Sequence, residues 1–135
     1  MDLGLRGKRA LVMGASKGLG RSVAEALAAE GVALAISGRE QASLDKACDS
    51  LRSLGAPKAV GIPAGALAAL GGVDILFLNH GGPPPGTALG LTPEMLETWF
   101  RPAVLSPIQV ANRLLPGMRE RRWGRIIAVG SIGIE

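Results

Sequence analysis

One stretch constrains this chain more than any other: Ala10-Leu11-Val12-Met13-Gly14-Ala15-Ser16-Lys17-Gly18-Leu19-Gly20. An apolar run over Ala10–Met13, glycines at 14, 18 and 20, and a helical pattern from about Gly18 to Glu30 read as a buried strand that turns on glycine into a helix. Such a turn aims the helix N-terminus, with its unpaired N–H groups and positive dipole end, at whatever lies above it. That is a place for a phosphate or pyrophosphate. Gly14 admits a backbone conformation closed to other residues, Gly18 lets phosphates approach the main chain, and Gly20 lets the helix lie close to the strand. The spacing is not the G-x-G-x-x-G fingerprint, so the turn by itself is also compatible with a strand–helix junction that binds nothing.

The remaining chain repeats the alternation. Helix one has Leu19, Val23, Ala26 and Leu27 at helical spacing and ends at Gly31. A short apolar strand, Ala33–Ile36, leads to Ser37-Gly38-Arg39. A helix over Glu40–Leu54, with Leu44, Ala47, Leu51 and Leu54 on one face, closes at Gly55. Cys48 within it reads as inert packing. Lys58–Ile62 is a third strand stopped by Pro63, and residues 64–70 have room for two helical turns. Val73–Leu78 is a fully buried fourth strand, and Asn79–Gly86 is a Gly/Pro-rich loop. Thr92 with Pro93 at the first helical position starts a helix that continues to about Arg122, bent near Pro102 and Pro107. Gly124 breaks it, and Arg125–Val129 is a fifth strand followed by Gly130-Ser131.

Strands alternating with helices predict a doubly wound, mostly parallel α/β sheet in three layers, as one domain over residues 1–135. Its ligand site lies beyond the C-terminal strand ends, which carry Gly14–Gly20, Ser37–Arg39, Asn79–Gly82 and Ser131. Composition excludes several other classes. Apolar residues make up 47% of the chain, against disorder, and no apolar run nears the ~18 residues of a bilayer span. No signal-peptide pattern opens the chain, and a single cysteine fits a reducing, cytoplasmic setting. The net charge of +4 is partly clustered at Arg119, Arg121, Arg122 and Arg125, which suits a helix end; two Trp, two Phe and no Tyr speak against nucleic-acid binding.

With these motifs in hand, the chain resembles the N-terminal half of a short-chain dehydrogenase/reductase. Gly14 to Gly20 matches the family's cofactor turn, with Met13 where threonine is usual. Leu78-Asn79-His80-Gly81 sits where the family has Asn-Asn-Ala-Gly, and Gly124-Arg125-Ile126-Ile127 leading to Gly130-Ser131 is similar to the strand ending in the catalytic serine. The resemblance implies a Rossmann-like sheet of strand order 3-2-1-4-5. It also implies cofactor contacts from Gly14, Ser16, Lys17, Gly18, Leu19, Gly20, Arg39, Asn79 and Gly81, and a catalytic role for Ser131.

A NAD-preferring site places an acidic residue at the end of strand two; here Gly38 stands there, with Arg39 next and Lys17 in the turn. By resemblance this pattern implies NADP(H) rather than NAD, since arginine matches phosphate geometry; the other reading makes both cations surface charges. The implied chemistry is hydride transfer between nicotinamide and a small carbonyl or alcohol substrate. The family's Tyr-x-x-x-Lys is absent: the chain has no tyrosine, and its last lysine is Lys58. The relay asparagine aligns near Ala103, Asn112 is displaced from it, and Pro63-Ala64-Gly65 lacks the aspartate usual near the adenine. His80 reads as a loop-packing residue. Two functions follow. One is an NADP(H)-dependent oxidoreductase of which this is an incomplete chain, inactive alone and paired with a second copy through the helix over Thr92–Arg122. The other is a non-catalytic nucleotide-binding domain acting in an assembly. No membrane partner and no metal are expected.

Overall fold

The computed structural model describes residues 2–63, 70–80 and 86–130. Five parallel strands form one sheet in the order β3-β2-β1-β4-β5, where β1 is Arg9–Val12, β2 Ala33–Gly38, β3 Ala59–Pro63, β4 Ile75–Leu78 and β5 Arg125–Ala128. This is the order expected. β1, β2 and β4 are short and apolar because they are covered on both faces, whereas β5 at the edge of the sheet is exposed along its length. α1 (Gly18–Ala29) and α2 (Gln41–Leu54) cover one face, and α4 (Ser106–Glu120) covers the other.

Alternation along each strand divides the core. Ala10, Val12, Leu34, Ile36 and Phe77 point towards α1 and α2, where Ala24, Ala28, Leu44, Ala47, Cys48 and Leu51 meet them. Leu11, Ala35 and Leu76 point the other way, onto Met118, Val110 and Leu114 of α4. Leu34, Ile36, Leu44 and Leu51 are fully enclosed, each worth ~1.5–3 kcal/mol of hydrophobic transfer.

Helix faces differ in detail from the sequence reading. In α1 the buried ridge is Gly20, Ala24 and Ala28, with Val23 and Leu27 partly covered, while Leu19 is 55% exposed. The cause is close approach: a Cβ on Gly20 would lie 2.5 Å from the Gly14 carbonyl oxygen, so only a small-residue ridge fits against β1. In α2, Cys48 joins the buried face and Leu54 turns outward. Burial pushes the Cys48 thiol up.

The long helix passes its prolines without breaking. α3 (Pro93–Phe100) is capped by Thr92, whose hydroxyl accepts from the Met95 N–H at 3.2 Å. It runs through one π turn (Arg101–Leu105) into α4. Pro102 and Pro107 lack the N–H that the α-helical ladder requires, and the Ser106 N–H donates to the Arg101 carbonyl five residues back. The two helical turns expected over 64–70 fall almost wholly outside the described residues.

A carboxylate ties the far edge of the sheet together. Asp74, immediately before β4, is 7% exposed. It accepts from the Arg9 backbone N–H and Nε at 3.0 Å each, from Arg9 Nη2 at 3.1 Å and from Arg121 Nε at 2.9 Å. Burial pushes its carboxyl up, but the Arg9 hydrogen bonds and the charges of Arg9 and Arg121 outweigh this and hold it below the usual carboxylate range. This clamp joins β1, β4 and the end of α4 on the side opposite the glycine turn.

Candidate functional site

The C-terminal ends of β1, β2 and β4 meet around Gly14. Its φ of +61° is the left-handed region that glycine enters without strain. The turn is stitched to both neighbours. The Met13 N–H donates to the Phe77 carbonyl at 3.0 Å, the Ala15 N–H to the Ser37 carbonyl at 3.0 Å, and the Gly14 N–H to Ser37 Oγ at 3.3 Å. Asn79 closes the other flank: a Cβ on Gly14 would lie 3.1 Å from Asn79 Nδ2.

α1 begins at Gly18 with Lys17 as its N-cap in extended backbone. No side chain caps this end, and its first turn carries no acidic residue. The first N–H groups are therefore left to solvent or a ligand, at the positive end of the helix dipole. Gly18 itself, at φ +61°, has open space where a Cβ would stand. These are the features a pyrophosphate needs: free donors, a favourable dipole and no side chain in the way.

Around the turn, Ser16 packs beside Gly38, where an added Cβ would sit 3.4 Å from both Ser16 Cβ and Oγ and 3.0 Å from Leu44 Cδ2. A larger residue at 38 would displace Leu44. Lys17 and Arg39 are exposed, and neither meets a carboxylate among the described residues. Leu19 is exposed beside the open mouth of the turn. Thus Gly14, Ser16, Lys17, Gly18, Leu19, Gly20, Arg39 and Asn79 lie along one strand-end edge. Gly81 and Ser131 fall outside the described residues.

Two residues of this edge, Ser37 and His80, were given no cofactor contact by the resemblance. Ser37 follows an apolar run that marks only a strand, yet its hydroxyl and carbonyl both hold the turn. His80, one residue past the edge, packs its ring edge-on to Trp99 of α3, centroids 6.2 Å apart at 69°. Beyond Trp99, an open apolar hollow of about 460 Å³ is lined by Leu96, Glu97, Trp99, Phe100 and Ala103. Among the described residues no group of histidine, cysteine and carboxylate could hold a metal, and no helix is long and apolar enough to cross a membrane.

A parallel sheet of this order with a glycine turn at β1 is shared with known proteins. The family model for the short chain dehydrogenases matches residues 8–66 and 61–134. The chain belongs to the short-chain dehydrogenase family. A hydroxysteroid 11-beta-dehydrogenase 1-like protein of Macaca fascicularis is 35% identical over 142 residues, covering 95% of this chain and 49% of that protein. A ketoacyl reductase of Nostoc is 33% identical, again covering 95% of this chain and 49% of the relative. Among solved structures, the L-sorbose reductase of Gluconobacter frateurii, complexed with NADPH and L-sorbose, superposes with a TM-score of 0.88 at 29% identity, covering 98% of this chain and 55% of that one. The chain spans about half the length of these members of its family.

Proposed function

We propose that this chain carries the cofactor-binding part of an NADP(H)-dependent oxidoreductase acting on a small carbonyl or alcohol substrate. The observation that carries the reading is the uncapped start of α1 beneath the Gly14–Gly18 turn, flanked by Lys17 and Arg39 with no carboxylate at the end of β2. The complex of the similar L-sorbose reductase with NADPH supports it. The bound nicotinamide would supply the hydride. The first N–H groups of α1 would hold the pyrophosphate, and Gly18 leaves room for it. Lys17 and Arg39 would face the 2′-phosphate, Arg39 with the forked donors suited to it. Asn79 and Gly81 would contact the cofactor from β4, and Ser131 would hold the substrate oxygen.

Fluorescence titration with NADPH and NADH tests this. Tighter binding of NADPH, lost preferentially over NADH in Arg39→Ala, supports the reading; no binding of either nucleotide, or a preference for NADH, overturns it. The sequence holds no tyrosine and no lysine after Lys58, which favours a second reading, a non-catalytic nucleotide-binding domain. In either case the 135-residue chain by itself turns over no aldehyde or ketone with NADPH. A homo-oligomer paired along α3 and α4 is supported by Leu96, Phe100, Val104 and Ile108, exposed at four-residue spacing. Light scattering of a monomer at micromolar concentration would reject that pairing.

A further inference from the structure

The glycine turn of this chain lacks a hydroxyl of its own at the end of β1, because residue 13 is methionine. The hydroxyl bonded to the Gly14 N–H comes from the neighbouring strand. Ser37 Oγ accepts the Gly14 N–H at 3.3 Å, and the Ser37 carbonyl accepts the Ala15 N–H at 3.0 Å. Gly14 is thereby held on one side by β2, and on the other side a Cβ at that position would lie 3.1 Å from Asn79 Nδ2. The carbonyl bond is made by backbone alone, just beyond the ladder that ends at Val12 and Ile36, and survives any side chain at 37. The hydroxyl bond does not.

From this we infer that Ser37 is a positioning residue for cofactor binding: its hydroxyl sets the direction of the Gly14 peptide and so the path of the turn into the first N–H groups of α1. The inference rests on the reading of that turn as the nucleotide site. Ser37 acts on the shared pyrophosphate end and not on the 2′-phosphate, which separates it from Arg39. The Ser37 hydroxyl accepts one bond and keeps its own proton, for which no acceptor stands among the described residues. An accepted N–H bond strengthens the hydroxyl as a donor, so a bound nucleotide's oxygen would gain from the same group.

The test uses Ser37→Ala and Ser37→Thr, with NADPH and NADH titrated by fluorescence and the Gly14 amide followed by hydrogen exchange without nucleotide. Ser37→Ala is expected to weaken both nucleotides by about 3- to 10-fold, the usual worth of one neutral hydrogen bond. The ratio of the two affinities should not move, and Gly14 exchange should accelerate while amides of β3 and α2 keep their protection. Ser37→Thr, which retains the hydroxyl, should restore both readouts. Unchanged Gly14 exchange in Ser37→Ala, or faster exchange with undiminished affinity, overturns the inference. So does equal weakening by the threonine variant. If the wild-type chain binds neither nucleotide, the cofactor reading and this inference both fall, whereas binding that Ser37→Ala leaves intact removes this inference alone.

Discussion

Replacing Asp74 by asparagine isolates the one buried charge among the described residues. The carboxylate accepts four hydrogen bonds, three from Arg9 and one from Arg121. Asparagine keeps the shape but offers one acceptor oxygen, and its NH2 group confronts an arginine donor. Removing one partner of a buried ion pair destabilises by ~3–5 kcal/mol. The side chains of Arg9 and Arg121 remain 26% and 35% exposed, so water takes up part of their loss and the expected figure is ~2–3 kcal/mol. For a domain of this size that is roughly a 6–10 °C fall in Tm. The pH dependence has a fixed sign. The folded carboxyl is held below its ordinary value, so its contribution is complete above the unfolded pKa and fades as pH falls through the folded one. Wild type should lose stability below about pH 4, near the ordinary carboxylate value, and the difference from Asp74→Asn should shrink there. Thermal melts at pH 7 and in steps down to pH 3 measure both. A loss below ~0.5 kcal/mol at pH 7, the range of an ordinary surface change, would refute the clamp as a stabilising element.

Three further outcomes follow from particular contacts. Gly20→Ala places a Cβ 2.5 Å from the Gly14 carbonyl oxygen, backbone that has nowhere to yield; α1 must lift from β1, lowering stability by ~1–3 kcal/mol and weakening nucleotide binding, as a melt and a titration would show. Cys48 should react slowly with a thiol reagent at pH 7 and at full rate only in denaturant, since burial both covers the thiol and raises its pKa; prompt labelling of the folded chain would contradict its placement. Gly38→Asp should lower NADPH affinity both by charge and by pushing Leu44 aside, so it should also lower Tm by a few degrees; unchanged stability would show that the Leu44 contact yields freely.

Much of the fold was legible because the signals were local. Short apolar runs such as Ile75–Leu78, punctuated by glycines and alternating with helical patterns, admit few arrangements other than a parallel sheet covered on both faces. The site edge followed from that topology, since Gly14, Arg39 and Asn79 each stand at a strand end. What sequence missed depended on distance in space. Asp74 reads as one acid inside the apolar run Val73–Leu78, whereas β4 begins only at Ile75 and the partners of Asp74 lie 65 and 47 residues away. Ser37 looks like a strand-end serine until β1 is laid beside β2. Leu19 fits a helical apolar face by spacing, yet α1 approaches β1 so closely at Gly20 that the buried ridge rotates onto Ala24 and Ala28 and leaves Leu19 at the mouth of the turn. The prolines of the long helix announced a disturbance, but only the backbone shows that a π turn absorbs it.

The central claim is that the amide groups from Gly14 to Gly20 receive a nucleotide pyrophosphate. Titrating NADPH into isotopically labelled protein and following backbone amide resonances tests it residue by residue. The largest shifts should fall on Gly14, Ser16, Lys17, Gly18 and Leu19, with smaller ones at Arg39 and Asn79. Saturable shifts confined to the hollow beside Trp99, with the glycine-turn amides unmoved, would contradict it.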